Sequence, residues 1–217
     1  IEDDFVNFPR QGGQELIFMI GCGFERNRKF EIKVFTAKNL SIEEEARIIT
    51  EWFDYMENVK NEILGPSAKL PNIFHWSPAE LTFMGVAHNN LEGDEIGMLD
   101  KIYKDRKEMI ENWKALPWFD FLKVMKDEPI VVKGAFGFGL KAIAKKLEEH
   151  RLTKTTWKDG PVDGLGAMVG AWYCDRISQE TGIDMNQTEL MQGIREYNII
   201  DCKAMWDLIN YLRKKHT

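Results

Sequence analysis

Two hydrophobic periods alternate along the chain. Residues 16–23 (LIFMIGCG) form an unbroken apolar run, the pattern of a strand covered on both faces. Residues 30–37 (FEIKVFTA) alternate apolar and polar and predict a half-buried partner strand, with Arg26, Asn27 and Arg28 marking the turn between the two. From Ser41 the period lengthens to that of a helix. Ile48, Ile49, Trp52, Phe53 and Met56 share a face, Ser41-x-x-Glu44 is a capping box at the start, and Gly65-Pro66 stops the helix after about Leu64. Residues 72–76 predict a short strand, and Ser77-Pro78-Ala79-Glu80 opens the next helix with proline at its first position.

Residues 95–115 have a helical pattern but are strongly charged, which predicts an insertion over about 92–116 or a solvated arm. Residues 119–125 predict a further helix, followed by a Gly/Phe segment at 134–139. Residues 140–149 are amphipathic, residues 164–181 form another helix, and the last helix begins near Asn186, where Asn186-x-x-Glu189 resembles a second capping box, and runs to about Lys214. Residues 1–14 are polar and irregular. Strand, strand, helix, strand, helix and then further helices predict an α/β sandwich with a mixed central sheet.

Composition narrows this only a little. The 217 residues, 44% hydrophobic and 29% charged, fit one large domain with an insertion and can bury a proper core. No apolar run approaches the roughly 20 residues of a membrane span, so no membrane partner is expected. Cys22, Cys174 and Cys202 are far apart, odd in number and without CxxC spacing, which argues against a disulfide framework or structural zinc and for a reducing compartment. A net charge of −6 argues mildly against a general nucleic-acid binder, but a metal-dependent nuclease must carry carboxylates. Neither a glycine fingerprint for phosphate nor a nucleophile elbow is present.

The chemistry begins in the last helix. Leu190, Ile194, Tyr197, Ala204, Met205, Leu208 and Leu212 make its apolar stripe, and steps of three and four put Asp201 in the middle of it. An unpaired buried carboxylate is costly, so Asp201 must be neutral, paired or bound to a cation. An internal salt bridge or a solvated crevice would also satisfy the pattern. Tyr197 lies one turn earlier on the same face. Glu80 shares a helical face with Phe83, Met84 and Ala87. It is either the glutamate of the Ser77 capping box or an inward acid placed just after a strand, where open α/β sheets put their sites. His75, at the end of that strand, is a structural histidine or a substrate contact. Two inward acids suit hard cations such as Mg²⁺ or Mn²⁺, although two ions require further carboxylates.

Tyr197-Asn198-Ile199-Ile200-Asp201-Cys202-Lys203-Ala204 resembles the third motif, Tyr-x-x-x-Asp, of the DEDD exonucleases, and most closely the Tyr-Asn-x-x-Asp-x-x-Ala of ribonuclease-H-like nucleases of the YprB type. His75-Trp76-Ser77-Pro78-Ala79-Glu80 resembles the second motif of that group. Phe136 to Lys141 resembles its aromatic-Ser-Leu-Lys segment, with Gly139 in place of the serine, and residues 16–21 resemble its second strand. The resemblance implies a ribonuclease-H-like fold, a bacterial or viral intracellular protein of the cytoplasm, and a 3′–5′ exonuclease on single-stranded DNA using two Mg²⁺ or Mn²⁺ ions. It makes Asp201 and Glu80 metal ligands, Tyr197 the group that orients water or the scissile phosphate, and Lys141 a contact to the substrate backbone, beside the ordinary solvated lysine that its position also allows. A helicase or a second nuclease domain in the parent protein would be a fitting partner.

One motif is missing. The family's Asp-x-Glu, which supplies two metal ligands, should precede residues 16–23 and does not. The expectation is a domain whose first strand, or a whole upstream domain, lies before Ile1, and which is inactive without it. Asp3 and Asp4 are alternative ligands that lack a preceding apolar strand. Lys141, Lys145, Lys146, Arg151, Lys154 and Lys158, with Trp157 nearby, form a basic stretch that suits single-stranded nucleic acid or is simply a solvated face. A non-catalytic nucleic-acid-binding or scaffolding domain of a repair or replication protein is therefore the alternative.

Overall fold

The computed structural model describes residues 15–92, 113–128, 130–157 and 164–215. Within them the chain is α/β, with far more helix than strand. Strands β1 (Met19–Arg26) and β2 (Lys29–Thr36) make an antiparallel hairpin in the register Met19↔Thr36 to Arg26↔Lys29. Asn27 and Arg28 close it with φ of 51° and 63°, the left-handed pair that matches the twist of a two-residue hairpin turn. Helix α1 (Ile42–Leu64) follows, capped as expected: the Ser41 hydroxyl accepts from Glu44 N, and Gly65, at φ 92°, ends it. The Glu44 carboxylate does not close the box. It accepts from Lys38 N at 2.6 Å and pairs with Arg47.

Strand β3 (Ile73–His75) leads into α2 (Ala79–Glu92) and pairs in parallel with β4 (Trp118–Asp120), in the register Ile73↔Trp118 to His75↔Asp120. Then come α3 (Phe121–Asp127), α4 (Leu140–Glu149), α5 (Gly164–Thr181) and the long α6 (Glu189–Lys215). The expected mixed sheet is thus two separate pairs among the described residues, β1–β2 and β3–β4. The run expected to be covered on both faces is half-buried from Met19 to Cys22, because no described strand pairs with the second edge of β1.

Three sequence readings are corrected. The helix expected over 119–125 starts at Phe121, because residues 118–120 bond to β3 and Asp120 caps the helix by accepting from Lys123 N. The last helix starts at Glu189: residues Met185–Gln187 form a single 3₁₀ turn, and the cap is Thr188, whose hydroxyl accepts from Met191 N. Leu190 lies at the exposed margin of the α6 stripe. Residues 1–14 with Asp3 and Asp4, most of the charged insertion, and Lys158 are outside the described residues.

Burial falls into two clusters. The first joins α1, the hairpin, α2, α5 and the N-terminal half of α6 through Met191 and Ile194, with Tyr197 packed against it. The second joins α3, α4 and the C-terminal half of α6 through Leu208 and Ile209. Helix α6 runs through both, and Asp201 sits where one cluster gives way to the other. Strand β1 crosses α6 closely at Gly21, where a Cβ would stand 2.8 Å from Cys202 Sγ and would overlap Asn198 Oδ1. Neighbouring strand residues face opposite ways, so Cys22 turns to the other face and engages Trp52 on α1. No helix among the described residues is long and apolar enough to cross a membrane.

Candidate active site around Asp201

Asp201 is half-buried in the seam between the two clusters. Its Oδ1 accepts a 2.9 Å hydrogen bond from the Trp157 indole N–H. Burial pushes its carboxyl up from 3.8 to about 6, against the lowering effects of that hydrogen bond and of the Lys141 charge. A carboxylate kept in place at such cost, without a salt bridge among the described residues, has the character of a group held for a ligand.

Tyr197, one turn earlier on α6, faces the Trp157 ring at 6.5 Å between centroids and 44° between planes. The Lys141 ammonium lies over both rings, 5.9 Å from the Trp157 centroid and 5.5 Å from that of Tyr197. Lys141 is exposed in the first turn of α4, with its ammonium on the side of these two rings. In the rest of the basic stretch Lys146 pairs with Glu149 at 2.6 Å, and Lys145, Arg151 and Lys154 are exposed.

Glu80 comes from the other half of the fold. Burial, together with the charges of Asp201, Cys22 and Glu80, raises the Cys202 thiol to about 12. The capping box read from Ser77 does not form. Thr82 N donates to Pro78 O, making Pro78 the cap and Glu80 the second helical residue, one short of the position a capping glutamate needs. Glu80 instead lies 3.6 Å from His75 Nδ1 with its side chain nearly half exposed, at the solvent margin rather than on an inward face, and Phe83 is exposed beside it.

His75 is buried, at 5% exposure, and its Nδ1 meets the Ser77 carbonyl at 2.6 Å, so that nitrogen carries the proton. This burial leaves His75 little surface for the substrate contact expected of it. Ser77 is strained, with φ 100° immediately before a proline. Three bonds hold it: His75 to its carbonyl, Ala79 N to its hydroxyl at 3.3 Å, and its own N–H to Asp120 Oδ1 at 3.2 Å. The Trp76 indole donates to Phe138 O at 3.1 Å and ties the same turn to the start of α4.

Sequence reasoning did not single out Asp120. Its signal was an aspartate just before the apolar period of residues 121–125, an ordinary helix start. Asp120→Ala removes both the α3 cap and the anchor of Ser77. It is expected to cost about 1–3 kcal/mol in thermal unfolding, whereas Asp120→Asn, which keeps the Oδ1 acceptor, stays near the parent.

Carboxylate oxygens are the donors that hard divalent cations take, and among the described residues no group of three or more His, Cys, Asp or Glu is placed to hold a metal ion. No family model, curated protein or solved structure matches the chain. The resemblance to YprB-type nucleases rests on the motifs themselves.

Proposed function

We propose that the chain is a ribonuclease-H-like domain of a metal-dependent nuclease, a 3′–5′ exonuclease on single-stranded DNA. The observation that carries this reading is Asp201: a half-buried carboxylate raised to about 6 and hydrogen-bonded by Trp157, with Tyr197 and Lys141 against the same indole.

Mg²⁺ or Mn²⁺ at such a site would activate a water and stabilise the leaving oxygen in phosphodiester cleavage. Asp201 and Glu80 supply oxygen donors for it. The Tyr197 hydroxyl orients the attacking water or the scissile phosphate, and the Lys141 ammonium faces the backbone negative charge. The Trp157 and Tyr197 rings offer a wall for a base, which suits an unpaired strand. That aromatic and cationic cluster would also serve a binding domain without catalysis, which is the second reading.

One assay separates the two. The full-length protein with Mn²⁺ is expected to shorten a 5′-labelled single-stranded oligonucleotide stepwise from its 3′ end. EDTA abolishes the activity, and Glu80→Gln lowers kcat at least about 10²-fold, the loss expected when several kcal/mol of charge stabilisation disappears. Retention of the oligonucleotide without any cleavage would instead establish the binding domain.

A further inference from the structure

We propose that Trp157 is a positioning residue for Asp201, held in place by a two-point strap of residues 153–157 along α6. The proposal rests on reading Asp201 as the site's cation ligand.

Burial alternates along the strap: Thr155 is buried and Trp157 half-buried, while Lys154 and Thr156 are exposed. Thr155 is buried, and its hydroxyl donates to Asp207 Oδ2 at 2.6 Å; Trp157 Nε1 donates to Asp201 Oδ1 at 2.9 Å. Both acceptors belong to α6. Six helical residues span about 9 Å and two residues of any chain reach at most about 7 Å, and the longer tryptophan side chain covers the difference. The strap therefore runs against the direction of the helix, with one anchor on each side of residue 204. Tyr197 and the Lys141 ammonium flank the ring, at 6.5 Å between centroids and 5.9 Å from the centroid.

The donor's chemistry explains why an indole suits this place. Its N–H donates, accepts nothing and has no charge. It can fix one carboxylate oxygen while leaving the full negative charge of Asp201 to attract a cation, whereas a lysine or arginine there would neutralise it. The same contact sets the carboxylate plane and hence the direction of Oδ2, as partners behind ligands do at metal centres. Lys141, whose charge acts on Asp201, has its ammonium over the two rings.

The test uses the full-length protein labelled with ¹⁵N-tryptophan, in which Trp157→Phe identifies the indole signal by its loss. Asp201→Asn is expected to move that signal upfield, since a charged acceptor becomes a neutral one. By calorimetry Trp157→Phe is expected to weaken Mn²⁺ binding about 10–100-fold with thermal unfolding little changed, and Thr155→Val to weaken it less. Two results overturn the tether alone: an indole signal unmoved by Asp201→Asn, or unchanged Mn²⁺ binding in Trp157→Phe when Asp201→Asn abolishes it. Absence of Mn²⁺ binding by the unsubstituted protein overturns the metal reading and the positioning role together.

Discussion

Asp201→Asn is expected to make the protein more stable at pH 8 and to remove its nuclease activity. The two effects have one cause. With the carboxyl raised from 3.8 to about 6 by burial, its stabilising contribution is fully present below pH 4 and is lost as the pH rises through 6. Two units correspond to at most about 2–3 kcal/mol of strain carried at pH 8 by the ionised group. Asparagine keeps an oxygen for the Trp157 N–H and cannot ionise, so the variant escapes that strain. In EDTA at pH 8 its unfolding temperature is expected about 4–10 °C above the parent's, and the gap should close toward pH 4. Millimolar Mn²⁺ should stabilise the parent and not the variant, narrowing or reversing the order. Cleavage should fall at least about 10²–10³-fold. A variant less stable than the parent at every pH would mark Asp201 as a structural residue.

Gly21→Ala is expected to be the most damaging small substitution in the hairpin. The added Cβ would stand 2.8 Å from Cys202 Sγ and overlap Asn198 Oδ1, and both atoms belong to short side chains fixed on α6. The helix and the strand must then separate, at a cost of about 1–3 kcal/mol in a packed interior. The unfolding temperature should fall by roughly 3–10 °C. Asn198→Ala in the same chain removes the worse overlap and should restore part of the loss, since neighbouring sites couple. Because Asn198 and Cys202 bracket Asp201, the substitution should also lower Mn²⁺ affinity. Equal unfolding temperatures for Gly21→Ala and the parent would mean that β1 and α6 do not approach this closely.

What could be read from the sequence followed local signals. The bounds of α1 come from Ser41 and Gly65, and those of α5 from its period alone. Asp201 stood out because one acid broke an apolar stripe. The structure adds that the stripe is broken where two clusters meet. Strand β4 was hidden because three residues show no period and run directly into a helix. Asn186 and Thr188 are both good cap residues, and only the 3₁₀ turn decides between them. Trp157 was noticed for its ring but not for its bond to Asp201, since the strap is irregular and its partner lies 44 residues away. No spacing rule reaches that far.

The central expectation is that Asp201 and Glu80 bind a cation together. Crystals of the full-length protein soaked in Mn²⁺ test this most directly, because the metal's anomalous signal locates it without assumption. Mn²⁺ density is expected within about 2.0–2.3 Å of carboxylate oxygens of both residues, with Trp157 still on Asp201 Oδ1. Mn²⁺ bound elsewhere or nowhere, with Glu80 still turned to His75, would contradict it.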